Sequence, residues 1–410
     1  MIRPELEALL TRSGLKPLVM GARTLLPIVQ GGMGIGVSAH RLAGHVAEAG
    51  GVGTISSVDL RRLHPDLMER TKRVGVGPEA KAKIDAANLE ALGREIASAR
   101  EIAGGRGLLA MNIMRAVSEY AAYVRRSLEC GIDAIVVGAG LPLDLPELAA
   151  DHPKTLLVPI LSDSRGVQLV VRKWERRKRA PDAIVLEHPA RAGGHLGAAR
   201  VEDLNDPRFD FERSVPETLE VLRAAGIEKT TPVIAAGGIR SLEDIRRVQA
   251  LGASAVQLGT PFAVTIEGDA HPEFKRVLAE ARDEDLVEFT SVAGLPARAV
   301  ATPWLKNYLR LEPKLQAAAR RCTKVFDCLA QCGLRDGKIG WGQFCIDQQL
   351  AAALEGNVKA GLFFRGRGAL PFGSQIRSVR ELMVRLLGGD MPATESAAAF
   401  AAAELSAAGA

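Results

Sequence analysis

The stretch that decides the fold is Pro232-Val233-Ile234-Ala235-Ala236-Gly237-Gly238, followed by the amphipathic segment Ser241–Leu251 and by Ala255-Val256-Gln257-Leu258-Gly259-Thr260-Pro261-Phe262. Each apolar run is short and continuous, as a parallel strand buried on both faces should be. The segment between them has helical period, with Ser241 as N-cap and Gly252 as a stop. Strand, helix, strand is a βαβ unit. Six further runs lie upstream: Pro27–Gly32, Val52–Ser57, Gly107–Met114, Ala134–Gly140, Thr155–Leu161 and Ala183–Pro189. Amphipathic segments Ser38–Ala49, Ala116–Cys130 and Arg165–Arg179 alternate with them, Ser38 serving as an N-cap and Gly131 as a stop. Eight such units predict an α/β fold, a (β/α)8 TIM barrel with insertions and a C-terminal helical extension. A doubly wound open sheet is the competitor, because strand count does not prove closure.

A chain of 410 residues has room for two or three domains or for one large barrel with additions. With 47% apolar and 25% charged residues it has ample core material and is not a disordered chain. Lys and Arg exceed Asp and Glu by only 5, too mild an excess to argue a nucleic-acid partner. The basic run Arg172–Arg179 reads as a solvated helix face, with the single aromatic Trp174. Glycine is abundant at 42 while aromatics are 4%, which suits backbone approach to a ligand better than base stacking. No window holds about 18 uninterrupted apolar residues, so no membrane span is expected. Met1–Leu10 is charged and lacks an apolar signal core, and five cysteines make no even disulfide framework. A reducing cytoplasm is the expected compartment. The expected organisation is a barrel over 1–281 with inserts at about 59–106 and 196–229, then a helical, Cys-containing extension or lid over 282–390. The Ala-rich 391–410 is expected to be a disordered tail.

Barrel active sites are built at the C-terminal ends of the strands. The first strand ends Gln30-Gly31-Gly32-Met33-Gly34, where backbone N–H groups can lie against a planar ligand; a plain tight turn is the alternative. Gly237 and Gly238 after the seventh strand, and Gly259 and Thr260 after the eighth, offer N–H donors and helix dipoles to an anion. Phosphate sites recur at this pair of strands. After the sixth strand runs Glu187-His188-Pro189-Ala190-Arg191-Ala192-Gly193-Gly194-His195-Leu196-Gly197. His195 has small neighbours that leave its ring open to a pocket, whereas His188 is still strand-like; His195 is therefore the candidate proton-transfer group.

QGGMG after strand one, ARAGGHLG after strand six, PVIAAGGI at strand seven and AVQLGTPF at strand eight together resemble the nitronate monooxygenase family, formerly 2-nitropropane dioxygenase, which includes flavin-dependent enoyl-ACP reductases. The resemblance covers about Gly21 to Lys275. It implies a barrel holding FMN non-covalently. The phosphate would rest on Gly237, Gly238, Gly259 and Thr260, and the ring against Gly31, Gly32 and Met33. Asn112, Ser162, Gly194 and Gln257 match further flavin-site positions, and His195 matches the family's glycine-flanked histidine. The resemblance further implies oxidation of a nitronate by FMN and dioxygen to a carbonyl compound and nitrite, with His195 as base or anion-orienting group. The rival is an NAD(P)H-dependent FMN reductase of enoyl thioesters or quinones, and a non-catalytic flavin-binding module stands behind both. A homodimer is compatible with this reading.

Cys322, Cys328, Cys332 and Cys345 lie outside the matched motifs. Four thiols so close could hold zinc or an Fe–S cluster, but no CxxC pair is present, and small buried cysteines in a helical extension are the expectation; no metal ligand is assigned. Gly361-Leu362-Phe363-Phe364-Arg365-Gly366 follows, with a dimer contact and a pocket lid both open as roles.

Overall fold

The computed structural model describes residues 1–318, 322–323 and 328–391; the expected Ala-rich tail lies almost wholly outside them. Eight parallel strands close into a barrel: β1 (Ile28–Gln30), β2 (Val52–Ser56), β3 (Leu108–Met114), β4 (Ala134–Gly138), β5 (Leu156–Leu161), β6 (Ile184–Glu187), β7 (Val233–Ala236) and β8 (Ala255–Leu258). All eight expected runs form these strands, and β8 pairs with β1, which removes the open-sheet alternative. The seam between β1 and β2 has a single ladder register pair, Val29 with Val52. Buried Gln30 reinforces it: its Oε1 accepts from the Thr54 N–H at 2.8 Å and its Nε2 donates to the Thr54 carbonyl at 3.0 Å. A side-chain amide here acts as a substitute backbone.

Period-two alternation sorts each strand into an inner and an outer set. Val29, Ala110, Val136, Val158, Val185, Ile234 and Ala255 fill the barrel interior, and Leu18, Met20 and Leu25 of a short hairpin pack with them. Ile184, Leu186, Val233, Ala235, Val256 and Leu258 pack outward in the main core with the helices.

Helices α1 (His40–Ala49), α2 (Pro78–Ala103), α3 (Tyr120–Glu129), α4 (Leu145–Leu148), α5 (Ser164–Glu175), α6 (Phe211–Ala224) and α7 (Leu242–Ala250) follow the strands in turn. α7 opens with the expected Ser241 cap, in a reciprocal box with Asp244. α1 differs: Ser38 is not its cap. Its Oγ accepts from the Met33 N–H at 2.8 Å instead. The helix start is held by the carboxylate of Asp269, which accepts from the N–H groups of Ala39, Arg41 and Leu42. A carboxylate from a distant loop outcompetes the local hydroxyl because it takes three orphan donors. Trp174, in the basic run, is fully buried and donates to the Pro142 carbonyl, while Arg177 and Arg179 pair with Glu147 and Asp182.

The region after β8 departs from the expected all-helical extension. Leu286–Thr290 and Pro296–Val300 form an antiparallel hairpin, and the latter also pairs with Gly194–His195. Leu286-Val287-Glu288-Phe289-Thr290 puts Val287 and Phe289 on one face and ends in β-branched Thr290, a local strand signal. The last helix, α8 (Val379–Leu386), returns to the ring: it contacts α1, and the chain just beyond it, at Gly388, abuts Leu242 of α7. The segment between β8 and α8 is thus an insertion ahead of a helix that returns to the ring, not a terminal appendage. Among the described residues no helix is long and apolar enough to cross a membrane.

Replacing Asp269 with Ala strips α1 of its cap. We expect a loss of about 2 kcal/mol in denaturant unfolding, with smaller loss for Asp269→Asn; an unchanged midpoint would show that the cap does not hold the helix.

Candidate functional site

The barrel interior is filled up to a last inner layer in which all members but Ile160 are small or polar. Asn112 stands in that layer on β3, with Met114 one step above it, and Gly138 on β4, Ala236 on β7 and Gln257 on β8 complete it beside the larger Ile160 of β5. Above this layer opens a cavity of about 590 Å³. Gly31, Gly32, Met33, Asn112, Ser162, Gly194, His195, Gly237, Gly238, Gln257, Gly259 and Thr260 all line it. Every residue singled out in the sequence therefore faces one space, while His188 does not.

At the first strand end, Gly31 lies over Gln257 and Gly32 over Asn112. A Cβ at Gly32 would fall 2.2 Å from the Asn112 Cβ, so no larger residue fits. Gly237 and Gly238 have φ of 104° and 75°, a region that favours glycine. Among the described residues, the N–H groups of Gly238, Gly259 and Thr260 have no acceptor in the protein. The Thr260 hydroxyl accepts from the Gly366 N–H at 3.1 Å, which leaves its own proton to donate. Arg240 lines the same wall, its Nε donating to the Gly238 carbonyl at 3.2 Å. Unsatisfied donors with a guanidinium beside them form an anion cradle.

His195 sits in the short strand that pairs with Ala297 and Arg298. Its ring lies 5.6 Å from that of Phe364. Its Nε2 is sealed from solvent and has no hydrogen-bond partner among the described residues. Burial without a countercharge pulls its pKa down to about 4, so the ring is neutral near pH 7 and available as an acceptor. His188 differs on each count: its Nε2 lies 3.2 Å from Asp210 Oδ1, and Phe211 meets its ring edge-on.

Sequence reasoning left Gly361–Gly366 open between a dimer contact and a pocket lid, and missed that its end, in the strap Phe364–Gly368, covers one wall of this cavity. Gly193 presses on the backbone of Arg365 and Gly366, where a Cβ would come within 2.4 Å. The Arg367 N–H donates to the Arg191 carbonyl at 3.0 Å. It also missed fully buried Arg298, whose guanidinium donates to the carbonyls of Pro189 and Ala192 and to Glu288, tying the hairpin to the loop that carries His195. The Gly-Arg-Gly pattern at 366–368 was the available signal for the strap. The cysteines do not join this cavity. Among the described residues no three metal-ligating side chains are close enough to hold an ion, and Cys332 instead accepts from the Arg335 N–H as a helix cap.

A family model described as nitronate monooxygenase matches residues 16–389. A probable nitronate monooxygenase of Bacillus subtilis is 26% identical over 292 residues, covering 70% of this chain and 79% of that protein. FabK from Thermotoga maritima superposes with a TM-score of 0.61 at 22% identity, over 94% of this chain and 96% of that one. A nitroalkane oxidase from Streptomyces ansochromogenes does so with 0.59 at 20% identity, over 97% and 99%. The structural likenesses show the barrel fold.

The depressed His195 pKa has a stability consequence. The unfolded imidazole binds its proton near pH 6.5, the folded one only near 4. Stability tied to the neutral ring is present above about pH 6.5 and is lost as the pH falls toward 4. Urea unfolding should therefore show the parent protein losing more stability over this window than His195→Asn; parallel losses would disprove the burial argument.

Proposed function

The chain belongs to the nitronate monooxygenase family, and on that premise we propose that it uses FMN and dioxygen to convert alkyl nitronates to a carbonyl compound and nitrite. The observation that carries the reading is the coexistence, in one cavity, of an unsatisfied anion cradle and an unpartnered, neutral His195. The residues fit the cofactor. The phosphate would be held by the N–H groups of Gly238, Gly259 and Thr260, by the Thr260 hydroxyl and by Arg240. The planar ring would lie on the backbone of Gly31–Met33, with Asn112 and Gln257 presenting amides from the floor. Bound there, FMN supplies the electron chemistry that no side chain of the protein can.

The protein's own part is positioning and proton control. A neutral imidazole can take the α-proton of a nitroalkane at Nε2. For a nitronate that arrives already ionised, the ring in its N–H tautomer donates to a nitro oxygen. Phe364 flanks the imidazole and keeps water from competing for it. Arg191 and Arg240 add positive potential for an anionic substrate.

A second reading, reduction of an enoyl thioester or quinone with NAD(P)H, is favoured by the apolar wall of Leu141, Leu350, Leu362 and Leu370, which suits an acyl chain. Anaerobic mixing separates the two. The leading reading expects a nitronate to bleach the flavin rapidly and NADPH slowly, and the opposite order would replace it. His195→Asn should retain FMN, seen as an unchanged yellow chromophore, while kcat falls by about 100-fold. Normal turnover by that variant would remove His195 from the mechanism.

A further inference from the structure

Glu187 is the last residue of β6, and alternation along that strand points it inward: Val185 packs inside the barrel and Leu186 outside. Its cross-strand neighbour is Ala236, whose other neighbour is Gln257. The carboxyl thus belongs to the same floor row as a residue that fits the flavin ring, and it lines the cavity with His195. Among the described residues no N–H or O–H donates to it. The surroundings give it little charge compensation. β7 offers Ala236, and on the other side Leu161 of β5 pairs with Leu186, which brings the chain just beyond β5, at Ser162, alongside Glu187. Arg298 is the nearby cation, but its guanidinium is already held by Glu288 and two carbonyls. The other charged or titratable groups lining the cavity are His195, Arg191, the paired Asp163 and Arg208, and Arg240, Arg365 and Arg367 on the far strap and wall. A carboxyl held in this way favours its neutral, protonated form; burial pushes it up to about 7 against the opposing pull of Arg298.

We infer that Glu187 is a second proton-handling group of the cavity, an acid in the floor that donates its O–H to the bound ligand, complementary to the accepting imidazole of His195. When the ligand gains negative charge, the O–H bond of Glu187 breaks and its proton passes to an acceptor oxygen or nitrogen of the ligand. Glu187 is left as a carboxylate, and solvent returns the proton once product has left. Two groups with environments that move them in opposite directions, one kept protonated and one kept unprotonated at the same pH, form an acid–base pair. The inference rests on the proposed function, since it places FMN and substrate above this floor.

The test begins without ligand. Infrared difference titration of the protein should show the C=O stretch of a protonated carboxylic acid that ionises near neutral pH. Glu187→Gln should abolish that band and Glu187→Asp should shift it; a band unchanged in both variants would overturn the inference. With FMN bound, Glu187→Gln should lower kcat about 100-fold with KM nearly constant and flatten the pH profile near neutrality, while Glu187→Asp recovers part of the rate. A full-rate Glu187→Gln with the parent pH profile would also overturn it. If the parent protein takes up no FMN, the proposed function fails, whereas the ligand-free infrared result still decides the protonation of Glu187.

Discussion

A closed barrel of eight parallel strands has to be filled from within, and the residue chosen for each inner layer decides where filling stops. Below the mouth this chain spends valines, alanines and isoleucine, which pack without voids. At the mouth it changes to Asn112, Gly138, Glu187, Ala236 and Gln257. Those side chains are too small or too polar to close over the top. The cavity is therefore a consequence of strand composition, and the glycine tips at Gly31, Gly32, Gly237 and Gly238 keep its walls thin enough for backbone donors to reach a ligand.

The rim is supplied from far along the chain. The hairpin Leu286–Val300 adds Gly194–His195 as a third strand, and Arg298 pins that arrangement by bonding to carbonyls on either side of Arg191. His195 is positioned by a ladder, with Ala297 opposite it, so its location is more exact than a free loop would allow. The strap Phe364–Gly368 then covers the ring and satisfies Thr260. Barrel and inserted segment build one cavity between them.

The strands, the glycine tips and His195 were legible because they rest on short-range rules, whereas Asn112, Ser162 and Gln257 were marked only by the family resemblance. Continuous apolar runs ending in glycine mark buried parallel strands, and glycine beside histidine at such an end marks an open pocket. The cap of α1 was not legible: Asp269 lies far from His40 in sequence, and Ser38 satisfied every local criterion while bonding elsewhere. The hairpin Leu286–Val300 was not legible because its strands are short and one of them pairs with Gly194–His195, far upstream. The environment of Glu187 is not legible locally, since nothing in a sequence shows that Arg298 is already occupied by Glu288. Long-range pairing decided each of these.

The return of α8 to the ring also governs how the molecule can be made. Its place beside α1 stays empty until everything between Leu258 and Val379 has left the ribosome. During synthesis the flank of α1 that α8 contacts, near Val46, lacks its final cover. Nascent chains halted before Met383 expose that flank, making them substrates for holdase chaperones and for self-association.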